Sequence, residues 1–223
     1  MRTALVTGAS RGIGAAIATA LASTHALLLA GRPSSALHAT AERLGATTLP
    51  LDLTETDAIP TATAAIGELD VLVHNAGVFF PGPVAESTVD EWRTTFEVNV
   101  VGAVAITLAL LPALRRTGGQ VVFISSGTGR TASATMASYS ASKFAQRAFA
   151  DSLRESEPTL RVTTVYPGRV DTDMQQALVA FEGDDYEPDR FLKPDTVAEV
   201  VAQVVATPPD GHVHEVVIRP RAR

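Results

Sequence analysis

The sequence predicts a single α/β domain built on a doubly wound, seven-stranded parallel sheet with helices on both faces. Short apolar runs alternate with longer helical patterns along the whole chain. Most of those runs are continuous rather than alternating, and a glycine-rich turn follows the first. Continuous apolar strands belong to sheets covered on both faces, and strand–helix alternation requires right-handed crossovers between parallel strands. Of 223 residues 46% are hydrophobic and only 5% aromatic, so the core is made mainly of Ala, Val and Leu. No linker, internal repeat or low-complexity tract divides residues 1–223, so one domain is expected.

In chain order, strands are expected at residues 4–6, 26–30, 47–51, 71–74, 120–125, 162–166 and 215–218. Helices are expected between them at 12–23, 35–44, 56–66, 91–115, 138–155 and 196–206. Gly45 suits the end of the second helix, and Pro158 stops the fifth. Asp195 or Thr196 caps the last, with Glu199 placed to complete a capping box. Residues 98–114 are apolar enough to raise a membrane span. The run is short for one and carries Asn99, Thr107 and Pro112, so a buried helix is expected.

Composition removes several function classes. The net charge of -6 speaks against a nucleic-acid partner. Without cysteine there is no disulfide, thiolate nucleophile or Cys-based zinc site. His212 and His214 alternate near the last strand with no third ligand in view, which reads as a surface pair and not a metal site. No secretory pattern precedes the first strand, so a soluble cytoplasmic protein is expected, with no membrane partner. The acidic group Glu182, Asp184, Asp185, Glu187 and Asp189 reads as a solvated loop.

The chemistry begins at Thr7-Gly8-Ala9-Ser10-Arg11-Gly12-Ile13-Gly14, between the first strand and the first helix. Its glycines let the chain turn tightly, approach a pyrophosphate and pack helix on sheet, while the helix aims free N–H groups at the phosphates. The second strand ends Leu29-Ala30-Gly31-Arg32 and lacks the acid that binds a ribose 2′-hydroxyl. The first acidic residue of the chain is Glu42. Arg11 and Arg32, two guanidinium groups without a nearby carboxylate, favour a 2′-phosphate and hence NADP(H) over NAD(H).

Tyr139 and Lys143 lie four apart on a predicted helix and share a face, in a chain with only three tyrosines and two lysines. Hydride transfer to a carbonyl leaves an alkoxide that needs a proton, and a phenol can supply it. Lowering a tyrosine pKa from about 10 by about 3 units takes roughly 4 kcal/mol, to be supplied by the ammonium and an oxidised nicotinamide. Ser126 follows the fifth strand at the ligand-facing end of the sheet and can steady a substrate oxygen, with Ser125 as competitor. Asn99 is an amide in an apolar helix and needs a partner there; a satisfied helix-kink residue is the structural alternative.

Together, the Thr-Gly-x-x-x-Gly-x-Gly turn and Tyr139-x-x-x-Lys143 resemble the short-chain dehydrogenase/reductase family in its compact form. The matches run from Thr3 to about Met174. The resemblance implies a Rossmann-like domain and reversible hydride transfer between a nicotinamide and a carbonyl or secondary alcohol. It implies a catalytic set of Asn99, Ser126, Tyr139 and Lys143. The family's serine stands thirteen residues before its tyrosine, which selects Ser126. The resemblance gives Asn99 a water linking Lys143 to solvent, and Lys143 a second bond to the nicotinamide ribose.

On the cofactor side it implies Gly8, Ser10, Arg11, Gly12, Ile13, Gly14 and Arg32, with Asp52 and Leu53 at the adenine. It adds Asn75, Ala76 and Gly77, then Tyr139 and Lys143, and Pro167, Gly168, Val170 and Thr172 around the nicotinamide carboxamide. His74 stands where the family has Asn. Residues 172–194 mix Met174, Leu178, Phe181, Tyr186 and Phe191 with acids. They read as a loop–helix lid over a neutral or partly apolar carbonyl compound. Arg130 and Arg169 either meet an anionic substrate or stay solvated. Leftover apolar surface on helix 91–115 and stretch 144–153 implies a homodimer or homotetramer. A non-catalytic NADP-binding sensor is the rival reading, and the intact set of four argues against it. A sugar-nucleotide epimerase or dehydratase differs in glycine spacing and has a larger C-terminal domain.

Overall fold

The computed structural model describes residues 1–221. Its strands are β1 (Arg2–Thr7), β2 (His25–Gly31), β3 (Thr47–Pro50), β4 (Val71–His74), β5 (Gln120–Ile124), β6 (Arg161–Pro167) and β7 (Glu215–Ile218). Each lies within two residues of its expected place. They pair in parallel in the order β3-β2-β1-β4-β5-β6-β7. The chain steps outward from β1 to β3, then returns to the other side of β1. In open α/β sheets the crevice beyond the strand ends at such a reversal is the ligand site.

The helices are α1 (Gly12–Leu21), α2 (Ser35–Leu44), α3 (Ile59–Thr63), α4 (Val89–Phe96), α5 (Gly102–Thr117), α6 (Ala137–Ser156), α7 (Asp173–Glu182) and α8 (Pro194–Val205). Successive strand residues point to opposite faces, which divides the core in two. Val6, Val73 and Val122 pack with Ile17, Leu21, Leu37 and Val201 from α1, α2 and α8. Leu5, Leu72 and Phe123 pack with Ile59, Ile106, Leu110 and Leu153 from α3, α5 and α6.

Several helix limits differ from expectation, each for a local reason. The helix expected at 56–66 is a 3-10 turn, Thr56–Ala58, followed by the short α3, because Pro60 fits only a first helical turn. The helix expected at 91–115 starts at Val89, where Thr88 and Glu91 form a reciprocal capping box. It widens into a π-turn over Glu97–Val101 before α5 continues. The rod Val89–Thr117 is long and apolar enough to cross a membrane by length and composition. Here α5 buries Ile106, Leu110 and Leu114 in the core. The capping box expected at Asp195 or Thr196 with Glu199 is not formed. Pro194, with its fixed φ, starts α8 earlier, behind Lys193, which makes no side-chain cap. Gly45 ends α2 at φ 61, as expected.

Candidate active site

Two loops beyond the carboxyl ends of β1 and β4 are tied into one surface. Thr7 Oγ1 donates to the Val73 carbonyl at 3.2 Å and accepts from the amides of Asn75 (3.0 Å) and Ala76 (3.1 Å). The Asn75 side chain donates to the carbonyls of Thr7 and Gly8, each at 3.1 Å. Gly14 lies directly beneath, and a Cβ there would run into the Gly8 carbonyl oxygen and the Asn75 amide. The first turn of α1 holds no acidic residue, and its N-cap Arg11 makes no side-chain cap. Among the described residues no side chain accepts from the amides of Gly12 and Ile13, which fits a pyrophosphate there.

The two arginines have carboxylate neighbours in space that the sequence separates. Arg11 pairs with Asp173 of α7 at 2.7 Å, with both side chains well exposed. The expectation of no nearby carboxylate is corrected here, because Asp173 is distant in sequence and the fold brings it across the glycine turn. Asp52 is held below its usual range by the Thr54 main-chain amide at 3.0 Å, by the Thr54 hydroxyl at 2.8 Å and by the Arg32 charge. Leu53 is buried against Gly102.

Asn99 stands in the π-turn, fully buried. Its Oδ1 accepts from the Val78 amide at 2.8 Å. Its Nδ2 donates to the Val78 carbonyl at 2.9 Å and to Ser142 Oγ at 3.0 Å. Both ends of the amide thus brace the loop that follows Gly77. The Asn99 main-chain carbonyl accepts from Gln146 Nε2 at 3.2 Å, and Gln146 Oε1 accepts from Lys143 Nζ at 3.1 Å. Asn99 and Lys143 are therefore joined through a side chain that motif reading passes over. The available signal was a polar residue three positions after Lys143, on the same helix face.

Lys143 is 3% exposed and donates to the Ile124 carbonyl at 3.0 Å. Its Nζ lies 5.5 Å from the Tyr139 ring centroid. Burial pulls Lys143 down to about 8 and pushes the Tyr139 phenol up to about 12, with the Ser126 hydroxyl opposing the latter. The expected lowering of the phenol is not achieved by the protein's own groups. Loss of water around the phenolate outweighs them, and Tyr139 keeps its proton more tightly than a solvated tyrosine. Phe79 meets its ring edge-on at 6.0 Å.

Ser126 is half-buried at the end of β5, where its Oγ accepts from the Thr128 amide at 3.2 Å. Ser125 is packed inward, 5% exposed, against Gly129. The geometry thus favours Ser126 as the serine beside Tyr139. His74 is buried, stacks on Phe123 at 4.6 Å and bonds Thr107 Oγ1 at 2.8 Å. Thr107 gives its own proton to the Ala103 carbonyl, so His74 Nε2 is the donor. Burial, with the Lys143 charge, brings His74 down to about 3.

Gly168 is closed against Arg219 and Pro220, and Arg219 Nη1 donates to the Tyr166 carbonyl at 2.8 Å. Val170 is buried next to the bend after Pro167. Thr172 lies against Gly12, and its hydroxyl caps α7 by accepting from the Gln175 amide at 3.3 Å. The lid segment is α7 followed by a 3-10 turn, Pro188–Arg190. Asp171 ties it down by accepting from Tyr186 (2.5 Å) and Lys193 (3.0 Å). Arg169 pairs with Glu182 and stacks on Phe191, while Arg130 pairs with Glu215 and stacks on Tyr166. Both arginines are committed within the protein. His212 is held by the Val162 main chain, its ring 4.4 Å from that of His214.

A cavity of about 110 Å³ opens between Phe80, Pro81, Glu86, Glu91, Ser138 and Phe181. A wider one, about 360 Å³, lies at the amino-terminal edge of the strands among Arg2, His25, Asp70 and Arg161. Size favours the second. Neither is lined by Tyr139, Lys143 or Ser126, so the site is placed by those side chains at the carboxyl-terminal edge and not by cavity size.

A family model described as short chain dehydrogenase matches residues 2–183. The chain belongs to the short-chain dehydrogenase/reductase family. Among relatives in this family, an oxidoreductase of Staphylococcus epidermidis is 32% identical over 98% of this chain and 97% of its own. Glycine betaine reductase ATRR of Emericella nidulans is 35% identical over 99% of this chain, which spans only 19% of that longer protein. An alcohol dehydrogenase of Thermococcus sibiricus complexed with 5-hydroxy-NADP superposes with a TM-score of 0.89 at 30% identity, over 100% of this chain and 99% of that one. A metagenomic short-chain oxidoreductase in complex with NADP gives 0.83 at 31% identity, covering 100% and 98%. As a short-chain dehydrogenase/reductase with the Rossmann-like fold described above, the chain is an oxidoreductase of CH–OH and C=O groups, in a family that uses nicotinamide cofactors.

Proposed function

We propose that this protein is an NADP(H)-dependent carbonyl reductase or alcohol dehydrogenase. The observation that carries the reading is a buried Tyr139 phenol beside Lys143 and Ser126 at the carboxyl end of β5. A dihydronicotinamide bound there would supply the hydride to the substrate carbon. Ser126 Oγ would hydrogen-bond the carbonyl oxygen, and Tyr139 Oη would give that oxygen its proton as the alcohol forms. Lys143 would stabilise the phenolate left behind, and its third ammonium proton would go to a ribose hydroxyl. In the oxidative direction Tyr139 would take the proton back.

The choice of NADP(H) is supported by Arg32, by the absence of an acid at the end of β2, and by the NADP-bound relatives. Arg11 would have to exchange Asp173 for the 2′-phosphate. Phe79 against Tyr139, with Arg130 and Arg169 already paired, supports a neutral, partly apolar substrate. Val101, Leu108 and Phe144 are 42%, 60% and 41% exposed on α5, its preceding turn and α6, which supports a homodimer or homotetramer. The reading is of a cytoplasmic enzyme without a nucleic-acid or membrane partner. It is tested by following NADPH and NADH oxidation across ketones, aldehydes and cyclic ketones. Turnover with NADPH is expected, and equal or better use of NADH would contradict the cofactor assignment.

A further inference from the structure

We propose that Gln146 is a positioning residue for Lys143, bridging its ammonium to the main-chain carbonyl of Asn99. The inference rests on the reductase reading above for its catalytic consequence, and on geometry for the link itself. A lysine ammonium has three protons to place, and in a dry site each needs an acceptor. Lys143 Nζ is given two by the protein, the Ile124 carbonyl at 3.0 Å and Gln146 Oε1 at 3.1 Å.

Gln146 is 1% exposed, and its Nε2 donates to the Asn99 carbonyl at 3.2 Å. That second bond fixes which way the amide faces. Flipped, it would set N–H donors against an ammonium and an oxygen against a carbonyl. A buried amide accepts at one end and donates at the other without releasing a proton, so the bridge sets place and charge and relays nothing. It ties α6 to the π-turn at Asn99, so the lysine and the braced loop after β4 keep one geometry.

The titratable groups facing Lys143 are Tyr139 from its own helix and His74 from β4, the latter uncharged at neutral pH. Burial opposes the ammonium, and the Gln146 oxygen is one of the two acceptors the protein sets against its protons.

The chain has only two lysines, so NMR of ε-13C-labelled lysine reads Lys143 directly, beside the exposed Lys193. Wild type, Gln146→Leu and Gln146→Glu are titrated, with Gln146→Met as a second apolar variant should Leu not fold. In parallel, the pH profile of kcat for reduction and NADPH binding by fluorescence are measured. The Lys143 midpoint, near 8 in wild type, is expected to fall by about one pH unit in the apolar variants. It should rise by about one in Gln146→Glu. The alkaline limb of kcat should follow in each direction, with NADPH affinity held within about threefold. A space-filling role would send both kinds of variant the same way, and that result, or no movement, overturns the proposal. Opposite shifts in a protein that reduces no carbonyl would support the link and overturn the reductase reading alone.

Discussion

Tyr139 and Lys143 are both buried, and burial moves each toward its neutral form, the phenol up to about 12 and the amine down to about 8. A protonated phenol is the state reduction needs, and Tyr139 holds it at neutral pH with or without the shift; burial makes the proton harder to give up. His74 has been moved the same way and carries a stability cost. It titrates at about 3 when folded and at 6.5 in a solvated chain. Between those values the unfolded state binds the extra proton, so stability is lost as pH falls below 6.5. The loss is about 2 kcal/mol at pH 5. His74→Asn keeps a donor for Thr107 without titrating, and urea midpoints at pH 7.5 and pH 5 should then differ less than in wild type. An unchanged acid slope would show that His74 is not its source. At the cofactor end, Arg32→Ala should weaken NADPH binding about tenfold and leave NADH nearly unaffected. Asp173→Asn frees Arg11 and should tighten NADPH by roughly twofold to fivefold. Fluorescence titration with both nucleotides checks the pair.

The turn between β1 and α1 shows how one element holds the site. Gly14 is helical, and the space its missing side chain leaves is filled by the Gly8 carbonyl and the Asn75 amide. Gly14→Ala should therefore cost about 2–3 kcal/mol in urea unfolding and impair nucleotide binding. Gly67→Ala, with nothing within 4 Å of the added carbon, should stay within about 0.5 kcal/mol. This turn was legible in the sequence, as were the strands, because continuous apolar runs and glycine spacing are local signals. The breaks were not. The π-turn at Asn99 depends on Val78 and Ser142, and the Arg11–Asp173 pair spans most of the chain. The early start at Val89 was written in the sequence as a Thr88/Glu91 box, and that at Pro194 as a proline which the Asp195/Thr196 signal downstream concealed. Gln146 escaped because a family motif names Tyr139 and Lys143 and says nothing of the residue that holds the lysine.

Across the whole molecule, the reversal of strand order at β1 fixes which end of the sheet does chemistry. The wide polar cavity at the amino-terminal edge lies at the other end. The subunit interface proposed from the exposed Val101, Leu108 and Phe144 would lie on the π-turn, α5 and α6, next to Asn99 and Lys143. Leu108→Glu, at a side chain 60% exposed, should lower the molar mass seen by light scattering while leaving the monomer folded. An unchanged mass would remove this face from the assembly. The reductase reading itself turns on one hydroxyl. Single-turnover oxidation of NADPH by Tyr139→Phe, beside its NADPH affinity, is the direct measurement. The account predicts turnover down by at least about a hundredfold with affinity within about threefold of wild type. Turnover equal to wild type would contradict it.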